Sequence, residues 1–282
     1  MSCPHQNNFR PLEDSIHTDF KDSMSYGDYL NLNQILTAQH PISSEHDEML
    51  FIVIHQASEL WLKLAGHELS AAITFIENEQ FGPAFKVISR VKQIFLQLTQ
   101  SWNILSTLTP VDYLKFRDDL GQSSGFQSYG YRKIEFMLGN KNKDLIKVHA
   151  ANEVVHNELT QLSNSPSLYD VVIKIMAKRG FKLDEQVIER DYNNPYQENE
   201  SVLNAWVNVY QNAEQHFELY ELAEKLMDIE DSFQNWRFKH MYTVQRIIGN
   251  KQGTGGSSGV AFLKKALEIS FFPELLTLRT KL

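Results

Sequence analysis

Cysteine is almost absent from this chain. The one thiol, Cys3, excludes an intrachain disulfide, a cysteine-based zinc site and a covalent anchor of the C-x-x-C-H kind. Proline is sparse too, and all eight fall in the amino-terminal stretch or at element boundaries, leaving proline-free runs at 42–82, 84–109, 111–165 and 196–272. Runs of that length suit helices, because an interior proline removes a backbone hydrogen bond and clashes with the preceding turn. Long apolar runs are missing: none approaches the ~20 residues that span a bilayer, and the first thirty residues hold no apolar signal core. The expectation is a soluble cytoplasmic protein with no membrane partner. Basic excess is missing as well, with 27 Lys and Arg against 35 Asp and Glu and a net charge of −8, so nucleic acid is not an expected partner. Strand patterning is scarce. FIVIH at 51–55 and DVVIKIM at 170–176 are β-branched, yet each lies in a longer segment of 3.6-residue periodicity, and both read as helical.

What is present is a long chain in which 42% of residues are hydrophobic, enough to bury a core that encloses a cofactor. No repeat of fixed period and no long linker divides it. The pattern predicts an all-α protein: a polar tail over residues 1–24, then one large helical domain over 25–282. Ser44-x-x-Asp47 resembles a capping box, Thr109-Pro110 places a cap before a first-turn proline, and Gly249-Asn250 reads as a helix stop.

A long helix is predicted from about Ser201 to Gly249, with room for one break. Along it Leu222, Leu226, Ile229, Phe233, Trp236, His240, Val244 and Ile247 follow at steps of four and three, so His240 faces inward. A satisfied core histidine is one reading. The other is an axial ligand, since an imidazole among apolar rings suits a flat macrocycle whose iron takes one neutral nitrogen. His55 sits similarly in EMLFIVIHQASELWLKL, sharing a face with Phe51, Ser58 and Leu62, which invites a proximal and distal pair around one iron. The other eight histidines lie in the tail, at a turn or among polar neighbours, and are expected at the surface. In TPVDYLKFRDDLGQSSGFQ, Tyr113, Arg117 and Leu120 share a helical face. Arg117 either pairs with a nearby carboxylate such as Asp118 or grips a substrate carboxylate through its two-donor fork. GTGGSSG at 253–259 is neither a Walker A loop nor a dinucleotide fingerprint, leaving a mobile loop or a lid that orders over a carboxylate, with Thr254 as polar contact. A bridged di-metal bundle would need two Glu-x-x-His motifs, and there is one, at Glu153 and His156. A non-catalytic haem sensor and a cofactor-free helical scaffold are the other classes compatible with these features.

FxxxHQxSELWxKL at 51–64, FRDDLGQSSGFQSYGYRKIEF at 116–136 and FQNWRFKHMYTVQRIIGNKQGTGGSSGVAFL at 233–263 together resemble the tryptophan 2,3-dioxygenase family. The resemblance runs from about residue 16 to 275 and is loose over 140–200. It implies one non-covalent haem b per chain, a homotetramer, and oxidation of L-tryptophan by O2 to N-formyl-L-kynurenine with no reductant consumed. It further implies His240 as proximal iron ligand and His55 as the distal residue accepting the indole N–H. Arg117 would hold the substrate carboxylate and Thr254 the amino-acid backbone. Phe51, Tyr113 and Leu120 would line the substrate pocket, and Ser124 and Gly125 the cofactor side of it. Tyr26, Tyr29 and Leu30 would come from an amino-terminal segment exchanged with a neighbouring subunit.

Overall fold

The structure, a computed structural model, describes residues 10–282. Cys3 and His5 lie outside the described residues. The chain forms two compact units, one ending at Pro41 and the other spanning Ile42–Leu282. In the first, α1 (Tyr26–Leu30) opens on a capping box between Ser25 and Asp28, and Asn31, at φ +50°, turns the chain into α2 (Leu32–Ile35). Tyr26 and Tyr29 are 76% and 72% exposed within the chain, so one apolar face of α1 is without cover from its own unit.

The second unit is helical, and no strand occurs among the described residues, as the sequence pattern predicts. Its elements are α3 (His46–Glu77), α4 (Phe81–Leu105), α5 (Pro110–Phe116), α6 (Tyr129–Leu138), α7 (Glu153–Asn164), α8 (Leu168–Lys178), α9 (Glu185–Ile188), α10 (Glu200–Gln211), α11 (Phe217–Ile248), α12 (Val260–Ala266) and α13 (Pro273–Thr277). FIVIH falls within α3 and DVVIKIM within α8, both helical as expected. The long carboxy-terminal helix is broken once, between α10 and α11, and stops at Gly249, whose φ of +61° suits a residue without Cβ.

Three long helices carry most of the packing because their buried positions recur at steps of three and four. On α4 these are Ala84, Ile88, Val91, Phe95, Leu98, Trp102 and Leu105; on α3, Ile54, Ser58, Leu62, Ala65, Leu69, Ala72 and Ile76. On α11 the stripe is Leu219, Leu222, Leu226, Ile229, Phe233, Trp236, Thr243 and Ile247. α4 packs against both α3 and α11 and is the shared partner that holds them. Thr243 takes the buried place that periodicity gave to its neighbour Val244, because its hydroxyl meets Ser106 Oγ at 3.3 Å.

Local capping decides the ends. Thr109 accepts from the Asp112 backbone N–H with Pro110 in the first turn, as the sequence suggests. The Ser44 capping box does not form: α3 is capped at Glu45 without a side-chain bond, and Glu48 reaches back to accept from the Ile42 and Ser43 backbone N–H groups, each at 2.8 Å. A carboxylate taking two backbone donors is the stronger arrangement. Deeper in, the Glu135 carboxylate on α6 accepts from Arg237 on α11 at 2.8 Å, from Tyr131 Oη at 2.6 Å and from Arg132. Its buried charge is therefore matched by two guanidinium groups.

α6 approaches α3 closely at Gly130, where a Cβ would stand 2.7 Å from Glu59 Oε2 and 2.9 Å from Leu62 Cβ. Gly130→Ala should accordingly lower stability by about 1–3 kcal/mol, the usual cost of forcing extra volume into a packed interface. Chemical denaturation reads this directly, and an unmoved unfolding midpoint would show that α6 yields without cost.

Candidate functional site

His55 lies on α3 with its Nδ1 2.7 Å from the Phe51 carbonyl one turn earlier. In the neutral ring Nδ1–H donates to that carbonyl, which leaves Nε2 as an acceptor. Burial holds its imidazole below the usual histidine range, opposed by the Phe51 carbonyl and the Glu59 carboxylate. His240 comes from α11. Although part of its surface is accessible, protein hems it in closely enough that burial pushes its imidazole down to about 4, and a charge on His55 would act in the same direction. The two rings therefore lie within electrostatic reach of each other, and both are neutral near pH 7.

Aromatic groups surround this pair. Phe51 lies 4.2 Å from His55, 5.9 Å from Tyr113 and 5.8 Å from Phe116, centroid to centroid. Trp102 of α4 stacks on His240 at 4.6 Å, and Trp236 lies 6.1 Å from the same ring. Phe116 and Trp102 were not singled out from the sequence. Trp102 could have been found as the tryptophan on the α4 stripe, but periodicity does not say which ring it meets.

Tyr113 and Arg117 follow on and just after α5. Burial raises the Tyr113 phenol, and the Arg117 guanidinium offsets this through charge and a hydrogen bond. The Asp118 pairing allowed by sequence is weak in the structure: the carboxylate is 3.8 Å away and its side chain 97% exposed. Instead Arg117 Nη2 donates to the Gln252 carbonyl at 2.7 Å, while its buried Nε has no hydrogen-bond partner among the described residues. Leu120 packs against the core beside this group.

The glycine loop is docked onto the segment after Arg117. Thr254 Oγ1 donates to the Ser123 carbonyl at 2.5 Å, and a Cβ on Gly255 would stand 2.7 Å from Ser124 Cβ. Ser124 caps the short turn Gly125–Gln127, and a Cβ on Gly125 would meet nothing within 4 Å. Thus Phe51, His55 and Tyr113 form one aromatic cluster; Tyr113 leads to Arg117; and the loop joins Arg117, Thr254 and Ser124. Tyr26, Tyr29 and Leu30 belong to the first unit. The surface placement expected for the remaining histidines fails for His149, His156 and His216, which are half-buried among their neighbours. Phe181, for example, lies 5.1 Å from the His216 ring.

Among the described residues there is no cluster of three or more His, Cys, Asp or Glu side chains placed to hold a metal, and no helix long and apolar enough to cross a membrane. A cofactor needing a single protein ligand fits this donor set: one neutral imidazole flanked by indole rings suits a flat iron macrocycle. Fold and site together define an all-helical protein that gathers two neutral imidazoles among aromatic rings, a donor set compatible with a cofactor that takes one protein ligand.

The family model for tryptophan 2,3-dioxygenase matches residues 13–165 and 162–282, including the stretch 140–200 where the motif resemblance is loose. The chain is 71% identical to a tryptophan 2,3-dioxygenase of Shewanella woodyi over 286 residues, covering 100% of both chains. It is 54% identical to those of Bacillus thuringiensis subsp. konkukian (96% of this chain, 97% of the relative) and Geobacillus thermodenitrificans (98% and 99%). The chain belongs to the tryptophan 2,3-dioxygenase family.

Thr254→Val removes the hydroxyl that ties the loop to Ser123 and keeps the side-chain shape. Losing about 1 kcal/mol should raise the opening equilibrium of residues 252–259 roughly fivefold, read as faster amide hydrogen exchange there. Unchanged exchange would mean that backbone bonds within the loop hold it unaided.

Proposed function

We propose that this chain inserts both atoms of O2 across the indole C2–C3 bond of L-tryptophan, giving N-formyl-L-kynurenine, with haem b bound non-covalently, one per chain. The observation that carries this reading is the pair of neutral imidazoles, His55 of α3 anchored on the Phe51 carbonyl and His240 of α11, within electrostatic reach of each other. His240 would hold the iron, with Ser124 and Gly125 against the macrocycle, and the haem when bound supplies the O2 chemistry. Everything else is positioning by the protein. His55 Nε2 accepts the indole N–H, and Arg117, with a free buried Nε, presents a guanidinium to the carboxylate. Phe51, Tyr113 and Leu120 wall the indole from water, and Thr254 on the docked loop contacts the amino-acid backbone. Fixing the ring beside the reacting centre lowers the barrier by removing translational and rotational freedom in advance. A non-catalytic haem sensor would have no use for Arg117 beside a closing loop, and family membership favours the enzyme.

We also place the enzyme in the cytoplasm as a homotetramer, with no nucleic-acid or membrane partner. The single cysteine and the acidic charge support the location, and the exposed Tyr26 and Tyr29 support exchange of the amino-terminal segment. In that arrangement Tyr26, Tyr29 and Leu30 complete the pocket of a neighbour.

Arg117→Lys keeps the charge but loses the planar fork, so it should weaken L-tryptophan far more than tryptamine, which lacks the carboxylate. Equal losses for the two ligands would assign Arg117 to packing. His55 accepts the indole N–H only while neutral. Because burial lowers its pKa, activity should hold as pH falls to about 6.5, the ordinary histidine value, and decline only below it. 1-Methyltryptophan should bind poorly to the wild type, and His55→Ala should narrow that gap; discrimination unchanged in the variant contradicts the contact. For the exchanged segment, chains lacking residues 1–30 are co-assembled with full-length His240→Ala chains. Hybrids should be more active than either parent, whereas hybrids of confirmed composition that recover nothing refute the shared pocket.

A further inference from the structure

We propose that Trp102 is a positioning residue for His240: its indole, stacked on the imidazole, fixes the plane in which His240 presents its coordinating nitrogen. The inference rests on the assignment of His240 as iron ligand and concerns how that ligand is aimed.

A histidine side chain turns broadly about its last torsion, so a ligand ring needs something to set its plane. Iron-bound histidines ordinarily obtain this from a hydrogen bond to the second ring nitrogen. His55 has such a bond, to the Phe51 carbonyl. His240 is different: among the described residues no protein group bonds to its ring nitrogens, and what it meets is flat aromatic surface. Trp102 lies 4.6 Å away with the planes 14° apart, a stacked geometry. Trp236 lies at 6.1 Å and 20°, one turn earlier on the same helix, and Trp102 and Trp236 are themselves 6.1 Å apart at 30°.

The stack has firm supports. Trp102 is 5% exposed and Trp236 6%, so neither has room to swing away. Phe95 on α4 approaches Phe233 at 4.7 Å and Trp236 at 6.1 Å, and Tyr131 lies 5.5 Å from Trp236. Tyr131 in turn donates to Glu135, which Arg237 clamps. One turn beyond Trp102, Ser106 meets Thr243 at 3.3 Å and its carbonyl accepts from Arg246 at 3.1 Å, which fixes the register of α4 against α11. Trp102 thus reaches His240 from another helix, on a rigid base, with an area of contact that an aliphatic side chain cannot reproduce.

The test uses haem-loaded protein and two readouts besides turnover: the rate of haem loss to excess apomyoglobin, and the iron–histidine stretching band of the ferrous form. Trp102→Leu keeps bulk and loses the flat face. It should speed haem loss about tenfold, the lower end for lost ligand support, and shift or broaden the band. Trp102→Phe retains a stacking face and should stay close to wild type in both. Trp236→Leu removes a comparable buried ring at greater distance and should move the band less than Trp102→Leu does. If Trp102→Leu matches wild type in both readouts, or Trp236→Leu perturbs the band equally, the positioning role is overturned. Should the leucine variant not fold, Trp102→Met replaces it with the same expectations. His240→Ala serves as the separate control: if it keeps stoichiometric haem with an unchanged spectrum, the ligand assignment fails, whatever the Trp102 variants do.

Discussion

The packing of one helix, α4, against both α3 and α11 sets the separation of the two imidazoles on which the proposed chemistry depends. His55 and His240 are 185 residues apart in sequence by their numbers and share no element; each is aimed by the stripe of its own helix, and the stripes meet on α4. Ile88, Phe95, Leu98 and their partners on α3 and α11 are fully buried or nearly so. Truncating such a residue costs about 2–5 kcal/mol, so the spacing resists change because any shift opens cavities along a continuous seam.

Within that frame the site separates charge from neutrality. Burial keeps both histidines uncharged near neutral pH, the state that the proposed roles of iron ligand and hydrogen-bond acceptor require. The buried carboxyl groups lie outside this pair of imidazoles, each with its own set of donors. Glu135 is matched by Arg132 and Arg237, while Glu230 and Glu274, whose carboxyls burial pushes upward, are held by backbone N–H groups and tyrosine hydroxyls. Glu230 accepts from Phe271 N at 2.7 Å and Glu274 from Tyr196 at 2.5 Å, so these bonds fasten the carboxy-terminal segment to the bundle. Arg117 is the cation set differently: one nitrogen holds the loop through Gln252, and its Nε lacks a partner among the described residues.

The all-helical class was legible because spacing of three and four recurs over long proline-free runs and overrides the β-branched look of FIVIH and DVVIKIM. His240 and His55 were legible as inward residues for the same reason, and Thr109-Pro110 because its capping chemistry is local. What sequence did not disclose was decided by tertiary neighbours. Nothing in the composition of α4 says that Trp102 meets His240, since a stripe records which residues face inward and not what faces them. Ser44 loses its capping role to a carboxylate that takes two backbone donors, Thr243 replaces Val244 in the seam through Ser106, and His216, among polar neighbours in sequence, lies against the Phe181 ring. The docking of the glycine loop depends on the fit of Gly255 against Ser124, which residues far apart in the chain create only on folding.

The proposed activity is tested most directly by the fate of labelled dioxygen. Haem-loaded ferrous protein, supplied with L-tryptophan under oxygen-18 gas in unlabelled water, should release N-formyl-L-kynurenine carrying both labelled atoms, one on the new ketone and one on the formyl group. Product with one atom from water, or haem-loaded protein that binds tryptophan and returns it unchanged, would contradict the account.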